Sequence, residues 1–478
     1  MKGHLMKFYG QNSKKIGLMS LISIVISSAL GSGIFTINTN LAKVASAGAV
    51  LIGWLFVGFG TLMLALSINY AATKMPKLEG IFAYAQIGFG DFTGFFCGWG
   101  YWLSACLGNV AFAVILMSSF GFFFPVYHTG QNLISIITAS VILWGLVILV
   151  NHGVESATIL NTVITFCKLI PLIFLISFGI INFEFPVFLK NLWQIGDFSN
   201  GKANLFLISK QVKNCMLTMV WVFVGIEGAT TMAKRAQSKK NTGKATIIGM
   251  ICLLVLYVLA SVLPYGYLTR WNLSTLSQPS AAYIFKSMVG WWGGPFINFG
   301  IIISILGAWL SWTMLPAETT SLMSDKKLLP EIFARKNKFG APTFSLITEG
   351  IMCQILLLVI YFASDAYNLA YSLCTSSIIV CYIFVGLFQI KISLRIKIRK
   401  EKVVNFFIGL TTVSFEVTVL FLVGLKYLFL CFIAYLPGLF FYIWMKRKKL
   451  SAFSKYEIAG ISLLVIGSIY GIWIVYNL

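Results

Sequence analysis

The sequence predicts an all-α integral membrane protein built on two successive sets of five helices, the first helix of each set broken at its middle. Three observations predict it. The 478-residue chain is 58% hydrophobic and only 10% charged, with a mean hydropathy of +0.88, too apolar for a soluble domain of this length. Apolar runs of roughly 20 residues, the length that crosses a bilayer, recur from end to end. The first and sixth of these runs carry glycines at their centres.

The chain opens with "MKGHLMKFYGQNSKK", a basic stretch without a small-residue cleavage signature. It reads as a cytoplasmic tail, 1–15, before a retained helix and not as a removed signal peptide. Thirteen apolar segments follow, at 16–38, 44–70, 93–122, 132–150, 156–181, 213–232, 246–268, 292–323, 345–364, 368–390, 404–424, 426–445 and 457–476. About 12–13 of them are expected to span, since the last either crosses or lies along the interface. Residues 16–181 form the first five-helix repeat and 213–390 the second, inverted one. An extracytoplasmic connection, 182–212, joins the two, and 391–478 holds the C-terminal helices.

Lys and Arg fix the orientation. Twenty-seven fall in the connections on one side and eight on the other, with Lys168 alone inside a span. The richer side is cytoplasmic by the positive-inside rule, so the N-terminus is expected in the cytoplasm. A net charge of +22 distributed in this way suits anionic lipid and gives no single patch for nucleic acid. The nine cysteines contain no CxxC pair and read as packing residues. His4, His128 and His152 fall in the tail or loops and make no ligand cluster. Neither a metal nor a cofactor is expected. A membrane enzyme would need clustered carboxylates, histidines or thiols, and the scattered residues supply none. A channel fits poorly, because broken helices with buried aromatics suit occlusion.

The first interruption is "SSALGSGIF", 27–35, where each glycine costs about 1 kcal/mol against alanine in a helix. The second is "MVWVFVGIEGATT", with Gly225, Gly228 and Glu227. Interrupted segments at matched places in two halves point to an inverted-repeat carrier with its site at the break. An unwound Gly31-Ser32-Gly33 presents backbone N–H groups to a carboxylate, and freed carbonyls accept an ammonium. The competing reading is a face of small residues for close helix packing.

Several side chains carry chemistry beside the breaks. Glu227 is an acid inside a span, functional by default, with bonding of loose backbone as its plainer role. Lys168, in "TFCKLIPL", lies about a dozen residues from either end of its segment, too far to snorkel. Asn109, in "CLGNVAF", needs polar partners, and interhelical hydrogen bonding is the plain role. Glu318 follows Pro316 and either caps a kinked helix or attracts cations from the cytoplasm.

"SSALGSGIF", "YWLSACLGNVAF", "VWVFVGIEGA" and "LGAWLSWTMLPAETTSLMSDKKLLPEIF" together resemble the amino acid–polyamine–organocation transporters, over nearly the whole chain. The resemblance is nearest to the bacterial basic amino acid antiporters. It implies that Ser32 and Gly33 hold a substrate carboxylate, and that carbonyls near Ala29, Trp221 and Val224 receive the α-amino group. It implies that Asn109 meets the distal cation, with Ser104 and Ala105 along the stem and Trp312 stacked on it. Trp221 resembles the gating aromatic, and Glu227 the proton-sensing or coupling acid. Lys168 matches a lysine that fills the sodium position of sodium-independent relatives and is absent from the arginine/agmatine branch. The implied function is exchange of arginine for ornithine across a bacterial inner membrane, without sodium. Arginine/agmatine exchange, lysine/cadaverine exchange and proton-coupled symport are the alternatives. The implied partners are cationic small molecules, the bilayer and a second copy in a homodimer.

Overall fold

The computed structural model describes residues 16–75, 77–195, 199–200, 204–233, 236–238, 240–448 and 453–476. The expected tail at 1–15 lies outside the described residues. Segment one is two helices, α1 (Leu18–Ala29) and α2 (Gly33–Val44), bent by 41° at the break. Leu30 leaves helical geometry there, with ψ at 74°. Next, α3 (Ala47–Lys74) ends just before Met75, the residue preceding a proline, where the α conformation is disfavoured. A short α4 (Ile81–Phe89) leads into α5 (Asp91–Gly121). Asn132 starts α6 (Leu133–Asn151) by accepting from Ser135 N at 2.8 Å. The first set closes with α7 (Val154–Ile181).

The expected connection contains α8 (Phe185–Leu192) and a two-residue antiparallel pairing of Gln194–Ile195 with Ser199–Asn200. Segment six is α9 (Leu205–Trp221) and α10 (Gly228–Thr231), with only turns across 222–227. Its helix begins at Leu205 and not at 213, because the Asn204 side chain accepts from Phe206 N at 2.9 Å. Lys210 and Lys213 therefore ride on the helix and do not mark its edge.

The second set continues with α11 (Lys240–Val262), then two short helices in the next connection, α12 (Arg270–Thr275) and α13 (Ser280–Val289). Three long helices complete it: α14 (Gly293–Asp325), α15 (Thr343–Ile360) and α16 (Ala366–Ser393). The C-terminal helices are α17 (Arg399–Val423), α18 (Leu425–Lys448) and α19 (Lys455–Tyr476). Among the described residues, eleven helices are long and apolar enough to cross a membrane, twelve with the bent α1–α2 pair. The one expected segment not counted in this way is the sixth, the interrupted α9–α10 pair. The protein is a multi-pass membrane protein.

Burial grades outward from the breaks. The apolar window of α5 is 94% buried and that of α14 78%, against 22% for α19. Leu133, Ile137 and Val141 on α6, and Ile351, Ile355 and Leu358 on α15, face outward, as lipid-facing side chains do. Around the first break, α1 packs on α7, α11 and α14, while α16 lies between α5 and α17. Both breaks thus sit inside the bundle.

Candidate functional site

The two interruptions touch. Ser28 Oγ donates to the Gly225 carbonyl at 2.7 Å. A Cβ on Gly225 would lie 2.9 Å from the Ser28 carbonyl, and its φ of +111° is a left-handed conformation that glycine alone adopts without strain. A Cβ on Gly33 would come within 2.6 Å of Val222 Cγ1. Break and close packing, posed above as alternatives, are here the same feature.

Buried carbonyls released from a helix need new donors. Lys168 Nζ donates to Ser27 O and Leu30 O, each at 2.9 Å, and to Ser27 Oγ at 3.0 Å, which uses all three ammonium protons. The lysine is fully buried on α7. Ser27 Oγ and Ser311 Oγ both reach Asn161 Oδ1, at 2.7 and 2.8 Å. Trp312 Nε1 donates to Ser28 O at 2.7 Å. The Tyr257 hydroxyl lies 2.9 Å from Ala29 O and 2.7 Å from Val222 O, so one phenol joins the two breaks.

Between the breaks lies a void of about 190 Å³ bordered by Ala29, Gly31, Gly33, Trp221, Val224 and Trp312, with Ser28, Phe112 and Val222. It has room for about one water. Ser32 stands at the start of α2, whose first N–H groups have no carbonyl within the helix to bond. The resulting positive end suits an anion. The Tyr367 hydroxyl accepts from Trp221 Nε1 at 3.3 Å and lies 3.1 Å from Thr36 Oγ1 and 3.4 Å from Ser32 Oγ. Tyr367 also borders a wider pocket with Asp365, Asn368, Gln278 and Lys43. The Trp221–Tyr367 pair therefore stands between an open vestibule and a closed inner void.

Four of the expected binding residues do not border the void: Ser32, Ser104, Ala105 and Asn109. Ser104 Oγ lies 3.1 Å from Cys374 Sγ, and Ala105 is buried beside it on α5. Asn109 Nδ2 donates to Trp312 O and to Glu349 Oε1, both at 3.1 Å. Trp312 packs edge-on against Phe112 and Trp221, with centroids 5.5 and 6.1 Å away.

Glu227 ends the second break and accepts from the Tyr382 hydroxyl of α16 at 2.5 Å. Glu318 is buried near the end of α14 and lies 3.4 Å from Lys336 Nζ. Sequence reasoning passes over Tyr257, Tyr367, Tyr382 and Asn161, which no local pattern distinguishes. Glu349 is different. It is an acid inside the apolar run 345–364, and the rule that selects Glu227 applies to it equally.

The amino acid permease family model matches residues 16–442. The chain is 52% identical over 468 residues to an arginine/ornithine antiporter of Latilactobacillus sakei, covering 97% of each chain. It is 40% identical over 486 residues to the arginine/ornithine antiporter ArcD1 of Lactococcus lactis, covering 97% of this chain and 91% of the relative. An arginine/agmatine antiporter of Chlamydia pneumoniae is 35% identical over 463 residues, with 95% of each chain covered.

Proposed function

The chain belongs to the amino acid permease family, and on that premise we propose that it exchanges arginine for ornithine across a bacterial inner membrane. The observation that carries the choice is the 52% identity, over nearly the full length, to a protein named for that exchange. Lys168 supports it, because its ammonium lies on the Ser27 and Leu30 carbonyls as a built-in cation. A carrier with its own charge there has no use for sodium at the same place.

The zwitterionic end of the substrate docks between the breaks. Its carboxylate meets the N–H groups of Ser32 and Gly33 at the positive end of α2. Its ammonium meets carbonyls of Ala29, Trp221 and Val224, and Trp221 with Tyr367 closes over it. The void holds about one water's room, so docking requires Trp221 and Trp312 to give way. Alternating access then follows from movement of the broken helices against α5, α7 and α14. The N-terminus lies in the cytoplasm, supported by the Lys and Arg asymmetry of the connections.

The test is uptake of radiolabelled arginine into ornithine-loaded proteoliposomes, with sodium replaced by choline and the membrane potential clamped. Uptake should need internal ornithine, ignore sodium and ignore potential, since both substrates carry the same charge. Uptake into empty vesicles would make it a symporter. Strong potential dependence would favour a doubly charged partner such as agmatine.

A further inference from the structure

We propose that Glu349 is a cation-selecting residue of the substrate site, receiving the distal charge of the substrate together with Asn109. The proposal rests on the exchange reading above and names which side chain gives it specificity for cations.

Glu349 is 1% exposed on α15, and Asn109 is fully buried on α5. They are bonded to each other through Asn109 Nδ2 and Glu349 Oε1 at 3.1 Å. The second donor interaction of the amide goes to Trp312 O. What remains is two oxygens. Glu349 Oε2 and Asn109 Oδ1 are both buried and have no hydrogen-bond partner among the described residues. Glu349 forms no ion pair with a lysine or arginine among them either. An unpaired carboxylate inside a membrane is expensive and is retained where it acts. Two adjacent acceptors without a donor match one chemistry, a group with several N–H donors and a positive charge. A guanidinium and a primary ammonium both qualify.

The position relative to the void agrees. The Asn109 amide is fixed to the backbone of Trp312, and Trp312 borders the void beside the two breaks. A substrate whose α-carboxylate lies at Ser32 would extend its stem past the Trp312 indole toward this pair. Asn109 alone offers no net charge and would accept a ureido group as readily as a guanidinium. Glu349 supplies the charge that distinguishes them.

Calorimetric binding of arginine, ornithine and citrulline to the detergent-solubilised protein tests this. Citrulline keeps the shape of arginine and lacks its distal charge. Glu349→Gln should weaken arginine and ornithine about tenfold or more while shifting citrulline less than about twofold. A purely structural role would weaken all three in step, and that result would overturn the proposal, as would no change at all. Should Glu349→Gln fail to fold, the swap Asn109→Asp with Glu349→Gln returns one carboxylate to the pair. Retained preference for arginine over citrulline in the swap supports the proposal, and its loss overturns it. Wild-type protein that binds neither arginine nor ornithine would overturn the exchange reading together with this one. Wild-type protein that binds both, with the variant keeping its preference, removes only the role of Glu349.

Discussion

The two breaks are alike in their glycines and opposite in the charge beside them. At the first, an ammonium from α7, Lys168, holds the carbonyls of Ser27 and Leu30. At the second, a carboxylate, Glu227, is held by a phenol from α16, Tyr382. The first is tied to α7 and α14, through Lys168 and through Trp312 on Ser28 O. The second is tied to α16. One local motif is therefore wired to different neighbours, and the wiring decides what each break can do. The cation holds backbone carbonyls here, whereas the carboxylate lies on a hydroxyl.

Removing the cation should break this contrast most severely. Lys168→Ala leaves the Ser27 carbonyl without a donor, at roughly 1–3 kcal/mol, and the Leu30 carbonyl with only the long contact from Ser304 Oγ at 3.4 Å. Exchange should fall to background, and thermal stability should fall with it. Sodium should not restore transport, because one vacated charge does not build a full ligand shell. Rescue of arginine uptake by sodium would show that the lysine merely replaced an ion in an intact site.

Ser32→Leu comes next in size and acts on the same break without touching its charge. The side chain would intrude where the shared α-carboxylate docks, so binding of arginine and ornithine should both be lost, with some loss of melting temperature from overpacking a fully buried position. Calorimetry that returns an unchanged arginine affinity would take the Gly-Ser-Gly run out of the site.

At the second break the effect should be smaller and confined to pH. Glu227→Gln keeps an acceptor for Tyr382 and should still exchange, but its rate should vary less with pH than wild type because the amide cannot change charge. Liposome uptake measured from acid to neutral pH separates the cases. A wild-type profile would confine Glu227 to holding the break.

These contrasts also mark what could be read from residues alone. The breaks were legible because glycine in a helix is costly and because both fall at the head of a five-segment set. Span positions followed from hydropathy, which is local. Short helices such as α12 and α13 lie below the length that hydropathy resolves, and the early start of α9 depends on an Asn204 cap. Lys168 was legible as a cation needing carbonyls, since nothing else in lipid can satisfy it. The tyrosines were not. Tyr257, Tyr367 and Tyr382 are three of nineteen, and their hydroxyls gain meaning only once α11 and α16 lie against the breaks. Glu349 was visible by composition, but its bond to Asn109 spans 240 positions and needs the fold.

The smallest expected effect concerns a hydroxyl that lies on carbonyls of both breaks. Tyr257 OH lies within reach of Ala29 O and of Val222 O, yet a phenol has one proton and donates to one carbonyl at a time. Two short distances therefore represent one hydrogen bond shared between two acceptors. Tyr257→Phe should cost about 0.5–1.5 kcal/mol, the net worth of a single bond, and not twice that. The first break keeps its lysine and the second its tyrosine, so neither should come apart. Arginine affinity should hold or rise, because the Ala29 carbonyl is then free to receive the substrate ammonium without displacing a protein donor. Thermal unfolding and arginine calorimetry on the same variant decide it. A large loss of stability with loss of binding would mean that the phenol holds the two breaks together and that they act as one element.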